Sequence, residues 1–285
     1  MPFFIELLHG STFLFVSFLS VLGLMVGSFL NVVIHRLPIM IEREWLQTSQ
    51  QYLYPDQTQD DLPVYNLALP ASACPGCGHK IRFWENVPVF SYFFLGGKCS
   101  GCHSSISGIY PLIELIAAVL AVIIGLTFGV SWQTLALCVL SWSLLALSMI
   151  DLNTRLLPDE ITLPLLWVGL VVNSFNVLVP LQDALWGAIA GYIFLRGVNQ
   201  LFKLITGKEG LGYGDVKLLS VLGAWLGWSK LIPVIILSSL AGIILVTVFA
   251  FIKRFNRCEI CFGLCISLAG FVTAVWEPMA FMLFV

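Results

Sequence analysis

The chain has 285 residues, of which 59% are hydrophobic and only 11% charged, with a mean hydropathy of +0.94. That balance excludes a water-soluble globular protein and points to an all-α, polytopic membrane protein surrounded by lipid. The net charge of −2 offers no basic patch, so no nucleic-acid partner is expected.

In chain order, Glu6 and His9 precede the first apolar run with no Lys or Arg among them. The basic start of a cleaved signal peptide is therefore missing, and residues 1–34 are expected to be a retained N-terminal transmembrane helix. The run itself, residues 11–34, is long enough to cross a hydrocarbon core of about 30 Å at about 1.5 Å per residue. Gly23, Gly27 and Ser28 give it small residues suited to close helix packing. It ends at the polar sequence His35-Arg36-Leu37-Pro38.

Residues 35–110 form a polar insert, the only extramembrane domain of any size, and residues 111–285 return to apolar runs. Those runs cover 111–130, 135–150, 163–179, 184–205, 216–228, 231–252 and 262–285, which with the first makes about eight transmembrane helices. The 216–228 run is short for a span of about 20 residues and is expected to begin inside the boundary or to be re-entrant. Lys and Arg in short loops favour the cytoplasm. With eight spans and the insert inside, only Lys230 falls in an outside loop. Both termini are then expected to be extracytoplasmic, and Asp151 and Asp215 lie on the cytoplasmic side.

Four of the eight cysteines stand in two close pairs, Cys74-x2-Cys77 and Cys99-x2-Cys102, separated by 21 residues. This is the spacing of a two-knuckle zinc site. Four thiolates complete a tetrahedron and leave no open position, so the zinc is expected to fold the insert and not to do chemistry. His79 and His103 lie beside the pairs but are not needed as ligands. Cys138, Cys258, Cys261 and Cys265 read as small apolar residues in or near helices.

Asp151 ends one apolar run and Asp215, in Gly212-Tyr213-Gly214-Asp215, begins another. Either one alone reads as a helix cap or an ion-pair member. Together at one depth they allow a different chemistry, because two neighbouring carboxyl groups cannot easily both ionise. One can act as base on a water while the other acts as acid toward a carbonyl. The flanking glycines would let a substrate backbone come close and let the chain turn sharply. Asp159 and Glu114 read as carboxylates favouring helix N-termini.

The sequences GSFLNVVIHRLP (27–38), IDLNTRLLPDEITLPLLW (150–167) and GKEGLGYGDVKLLSVLGAWLGW (207–228), with the four-cysteine insert, resemble the type IV prepilin leader peptidases. These are GxGD intramembrane aspartyl peptidases, and the likeness runs over nearly the whole chain. It implies Asp151 and Asp215 as the catalytic pair. It implies prepilin or pseudopilin substrates, cut after a Gly to expose, usually, a Phe, in the bacterial inner membrane with both termini periplasmic. Bifunctional members of that family carry the insert and methylate the new amine with S-adenosylmethionine. Gly97, in LGGKC, matches a glycine linked there to methyl transfer, and Glu42 and Arg43 match a segment following the first helix. Read from the residues alone, Gly97 is a loop turn and Glu42 with Arg43 a solvated charge pair; no Gly-rich nucleotide motif accompanies them.

The chain departs from the family at residues 259–265, EICFGLC, which keep Phe-Gly and lack both prolines of a Pro-Phe-Gly-Pro-like loop. Two alternatives remain at this point. One is a leader peptidase without methyl transfer. The other is a proton-coupled transporter, which would place its acids at mid-helix and carry internal repeats.

Overall fold

A computed structural model describes residues 10–54, 64–208, 210–251 and 262–284. Cys258, Cys261, Glu209 and residues 259–261 of the proline-less loop lie outside that set. Among the described residues the fold is all helix, in nine α-helices and two single 3-10 turns. The chain divides within its third helix into two compact units, Met1–Ile123 and Ile124–Val285.

The first unit opens with α1, Thr12–Leu53, capped by the Ser11 side chain, which accepts from the Leu14 amide. At 42 residues this helix is about 63 Å long, twice the hydrocarbon thickness. The apolar run ends at residues 35–38, but the helix does not. A helix-interior proline costs about 3 kcal/mol, yet Leu37, Pro38 and Ile41 are all buried and their packing holds the helix through it. Arg36, also buried, donates to the carbonyls of Asn66 (3.0 Å) and Pro70 (2.8 Å). The last helix of this unit, α3, is Ile109–Phe128. The small residues of α1 meet it as expected: a Cβ on Gly23 would lie 2.5 Å from Ala118 Cα and one on Gly27 2.6 Å from Glu114 Cα. Between α1 and α3 the insert carries a 3-10 turn, Phe83–Asn86, and the short α2, Phe90–Phe94.

The second unit contains α4 (Trp132–Thr154), α5 (Asp159–Ser174), α6 (Leu181–Thr206), α7 (Tyr213–Leu226), a 3-10 turn at Trp228–Lys230, α8 (Leu231–Phe251) and α9 (Phe262–Phe284). Helix α7 is its axis, buried along Val216 and Leu218 to Leu226 and packed by α5, α6 and α9. Gly187 of α6 and Gly223 of α7 face each other so closely that a Cβ on either would collide with the other's carbonyl. On the α5 side, Trp225 covers Gly169 and donates from Nε1 to the Leu165 carbonyl at 2.8 Å.

Each expected apolar run falls on a helix, but four helical segments among the described residues are long and apolar enough to cross a membrane: Thr12–Leu53, Ile109–Phe128, Trp132–Thr154 and Trp228–Val248. That count, made on the described residues alone, does not reach the expected eight. Helices α5 and α7 have only 16 and 14 residues, short of the roughly 20 a span requires. Helix α7 is instead shielded by its neighbours.

Candidate active site and metal centre

Helix α4 ends one turn after Asp151, where Arg155 takes a left-handed conformation (φ 57) and its amide closes onto the Asp151 carbonyl at 2.8 Å. Helix α7 starts after Gly212, and Asp215 stands in its first turn with the Gly212 amide reaching its carboxylate. Asp215 is thus a helix cap as well as a candidate acid, so the two readings of this residue are compatible.

The two carboxylates are 6% and 8% exposed, and the charge of Asp151 acts on Asp215. The start of α9 closes the site. The amides of Gly263 and Leu264 face Asp151, and a Cβ on Gly263 would lie 2.7 Å from Asp151 Oδ2. Leu157 fills the space between the helix starts, since a Cβ on Gly214 would lie 2.6 Å from its Cβ and one on Gly263 3.1 Å from its Cδ1. A side chain at 214 would therefore press on Leu157, a packing reason for glycine there.

Three further contacts set these segments. Asn199, buried on α6, accepts from the Gly210 and Leu211 amides (both 3.1 Å) and donates to the Leu211 carbonyl (3.2 Å), holding the turn that leads into Gly212. Lys217 bridges both oxygens of Asp159, tying α7 to the first turn of α5. The hydroxyls of Tyr192 and Tyr213 meet at 2.6 Å, joining α6 to α7. Asn199 left a trace in the sequence, as a polar residue in an apolar helix; Leu157 left none.

In the insert, the sulfurs of Cys74, Cys77, Cys99 and Cys102 all lie within 4.8 Å of one another. Cys74 to Cys102 is 3.8 Å and Cys77 to Cys99 is 4.0 Å. Zinc–sulfur bonds of about 2.3 Å in a tetrahedron require sulfurs about 3.8 Å apart, so the donor set fits zinc. Each pair sits in a knuckle closed by one antiparallel bridge, Ala73 to Lys80 and Lys98 to Ser105. Four residues after each first cysteine the backbone turns left-handed, at Gly78 (φ 71) and His103 (φ 57). Backbone amides of Gly76 and Cys77, with Ser104, bring the Cys74 thiol down, while the neighbouring thiols and desolvation push Cys77 up.

Of the two neighbouring histidines, His79 is engaged elsewhere. His79 contacts Glu85 (3.2 Å) and Ser100 (3.1 Å). Glu85 is held down at about 2 by the Arg82 amide, Ser100 and His79.

The residues matched to methyl transfer are separately engaged. Arg43 lies over the Tyr65 ring at 4.3 Å, and Glu42 beside it is exposed. Gly97, with φ 68, has the Tyr92 ring where a Cβ would be, at 3.0 Å. Neither Gly97 nor Arg43 offers an open cradle for a methyl donor. Glu114 is more than a helix-end charge: it is buried and accepts from the Val89 amide at 2.7 Å.

Comparison with known sequences covers nearly the same ground. The pattern of the bacterial peptidase A24 N-terminal domain matches residues 21–128, and that of the type IV leader peptidase family matches residues 138–247. A prepilin leader peptidase/N-methyltransferase of Stutzerimonas stutzeri is 49% identical over 282 residues, 95% of this chain and 94% of its own. Proteins of the same name from Aeromonas hydrophila and Pseudomonas aeruginosa are 48% identical (97% of this chain, 96% of theirs) and 50% identical (90% and 88%). No solved structure matches the chain.

Proposed function

The chain belongs to the type IV leader peptidase family, and from that premise we propose that Asp151 and Asp215 are the pair that carries out its peptide hydrolysis. The chain carries the two activities of its relatives, peptide hydrolysis and N-methyl transfer. It removes the leader from prepilin-type substrates and methylates the amine so exposed.

The observation that carries the assignment is a pair of buried carboxylates at one end of the second unit, in the last turn of α4 and the first turn of α7, near enough that the charge of Asp151 acts on Asp215. The ionised partner takes a proton from a water, whose oxygen attacks the carbonyl carbon of the scissile bond. The protonated partner gives its proton to the carbonyl oxygen, and collapse of the tetrahedral intermediate passes a proton to the leaving nitrogen. The cut follows a Gly and exposes a residue that is usually Phe. The substrate's apolar helix lies laterally against the enzyme and presents this bond at the cytoplasmic boundary. That orientation, with both termini periplasmic, rests on the Lys and Arg content of the loops.

Cys74, Cys77, Cys99 and Cys102 hold a zinc ion that fixes the two knuckles, with no open position for chemistry. A donor of the S-adenosylmethionine type supplies an electrophilic methyl group to the neutral amine. We assign Gly97, Glu42 and Arg43 to that activity from the family resemblance; Gly97 admits the Tyr92 ring, Arg43 lies over Tyr65, and Glu42 is exposed.

Purified enzyme incubated with a prepilin-like peptide, with and without S-adenosylmethionine, tests the reading by mass spectrometry. Cleavage after Gly in both samples and methylation only with the donor are expected. An unmodified amine in both would leave a peptidase without methyl transfer.

A further inference from the structure

The insert displays large apolar side chains that no described part of the protein covers. Phe83, Trp84, Phe90, Phe93 and Phe94 are 82%, 52%, 59%, 73% and 88% exposed. They come from two adjoining pieces, the 3-10 turn and α2, which pack on each other. So many rings together exceed the scattered exposure normal on a soluble surface.

The position of α2 says what meets them. Val89, immediately before α2, donates to Glu114 in the second turn of α3, and the Tyr92 hydroxyl lies 3.7 Å from where a Cβ on Gly108 would be. Helix α3 has 20 residues and the hydropathy of a membrane span, so its length of about 30 Å matches the hydrocarbon core. Helix α2 is thereby fastened at the level where α3 enters the bilayer. Aromatic rings at that level sit favourably among headgroups and upper acyl chains. Exposed Lys80, Arg82 and Lys98 accompany them, Arg82 lying over the Trp84 ring at 5.4 Å, a charge that suits anionic headgroups.

We propose that this aromatic face docks on the anionic lipid surface of the bilayer that α3 crosses, seating the zinc-binding insert on the membrane. The contact is independent of the catalytic assignment.

The test uses the full-length protein in nanodiscs of phosphatidylethanolamine and phosphatidylglycerol containing a lipid with a photoreactive diazirine near the top of its acyl chain. After irradiation, peptide mass spectrometry is expected to find lipid adducts on residues 83–94 as well as on the spanning helices. Replacing phosphatidylglycerol with phosphatidylcholine should lower the adducts on 83–94 about fivefold. The Phe93→Ser/Phe94→Ser variant should lower them about tenfold, with bound zinc unchanged as the sign that the insert is folded. Adducts confined to the spanning helices would overturn the proposal. So would cross-linking of this face to a second copy of the chain.

Discussion

Lys217 and Asp159 form a two-oxygen ion pair at 2.6 and 2.7 Å that joins the two aspartate-bearing stretches of the second unit. Lys217 is two residues beyond Asp215, and Asp159 opens the helix that follows the Asp151 turn. The pair is partly exposed, with Asp159 at 50%, so it is worth about 0.2–1 kcal/mol. Lys217→Met is therefore expected to slow cleavage by up to about fivefold. Adding Asp159→Asn should cost little more, which a double-mutant cycle on cleavage rate reads directly. Additive losses would mean the two residues act separately.

Asp151→Asn and Asp215→Asn should each lower cleavage by about 10²–10⁴-fold, the contribution of a positioned acid or base. Methylation of a substrate already cut should survive both. Substantial cleavage by either variant, followed by gel shift of the prepilin, would remove that residue from the dyad.

The glycines give a sharper spatial test. Gly263→Ala pushes a methyl against Asp151 Oδ2, and Gly214→Ala pushes one against Leu157. Each should lower cleavage more than tenfold, since small misplacements of reacting groups are costly. Gly197→Ala, with nothing within 4 Å of the new methyl, should leave the rate unchanged. Equal loss in all three variants would point to general destabilisation.

Zinc removal separates the activities. A chelator, or Cys77→Ser, should release the metal and loosen the knuckles, raising amide hydrogen exchange over residues 73–105. Methyl transfer should fall well before cleavage does. Parallel loss of both would mean that the insert supports the peptidase as well.

The membrane class and the four clustered cysteines were legible in the sequence because each rests on a local rule: a long apolar run or a fixed spacing. The positions of Asp151 and Asp215 at helix ends were legible for the same reason. What escaped depends on contacts far apart in the chain. No pattern foretold that α1 would run through Pro38, because that follows from burial of Leu37 and Ile41. Leu157 is an ordinary leucine until Gly214 and Gly263 close around it. Helix α7 is apolar through being enclosed by protein, and composition alone does not distinguish that from contact with lipid.

The insert is moored at two points that do not involve its four cysteines. Arg36, on α1, grips the carbonyls of Asn66 and Pro70, while Glu114, on α3, grips the Val89 amide. Since α1 and α3 are themselves interlocked at Gly23 and Gly27, both moorings belong to one rigid post. Losing zinc would therefore slacken the weave of the knuckles without letting the insert drift from its post, so a metal-depleted enzyme should be repairable in place by returning the ion.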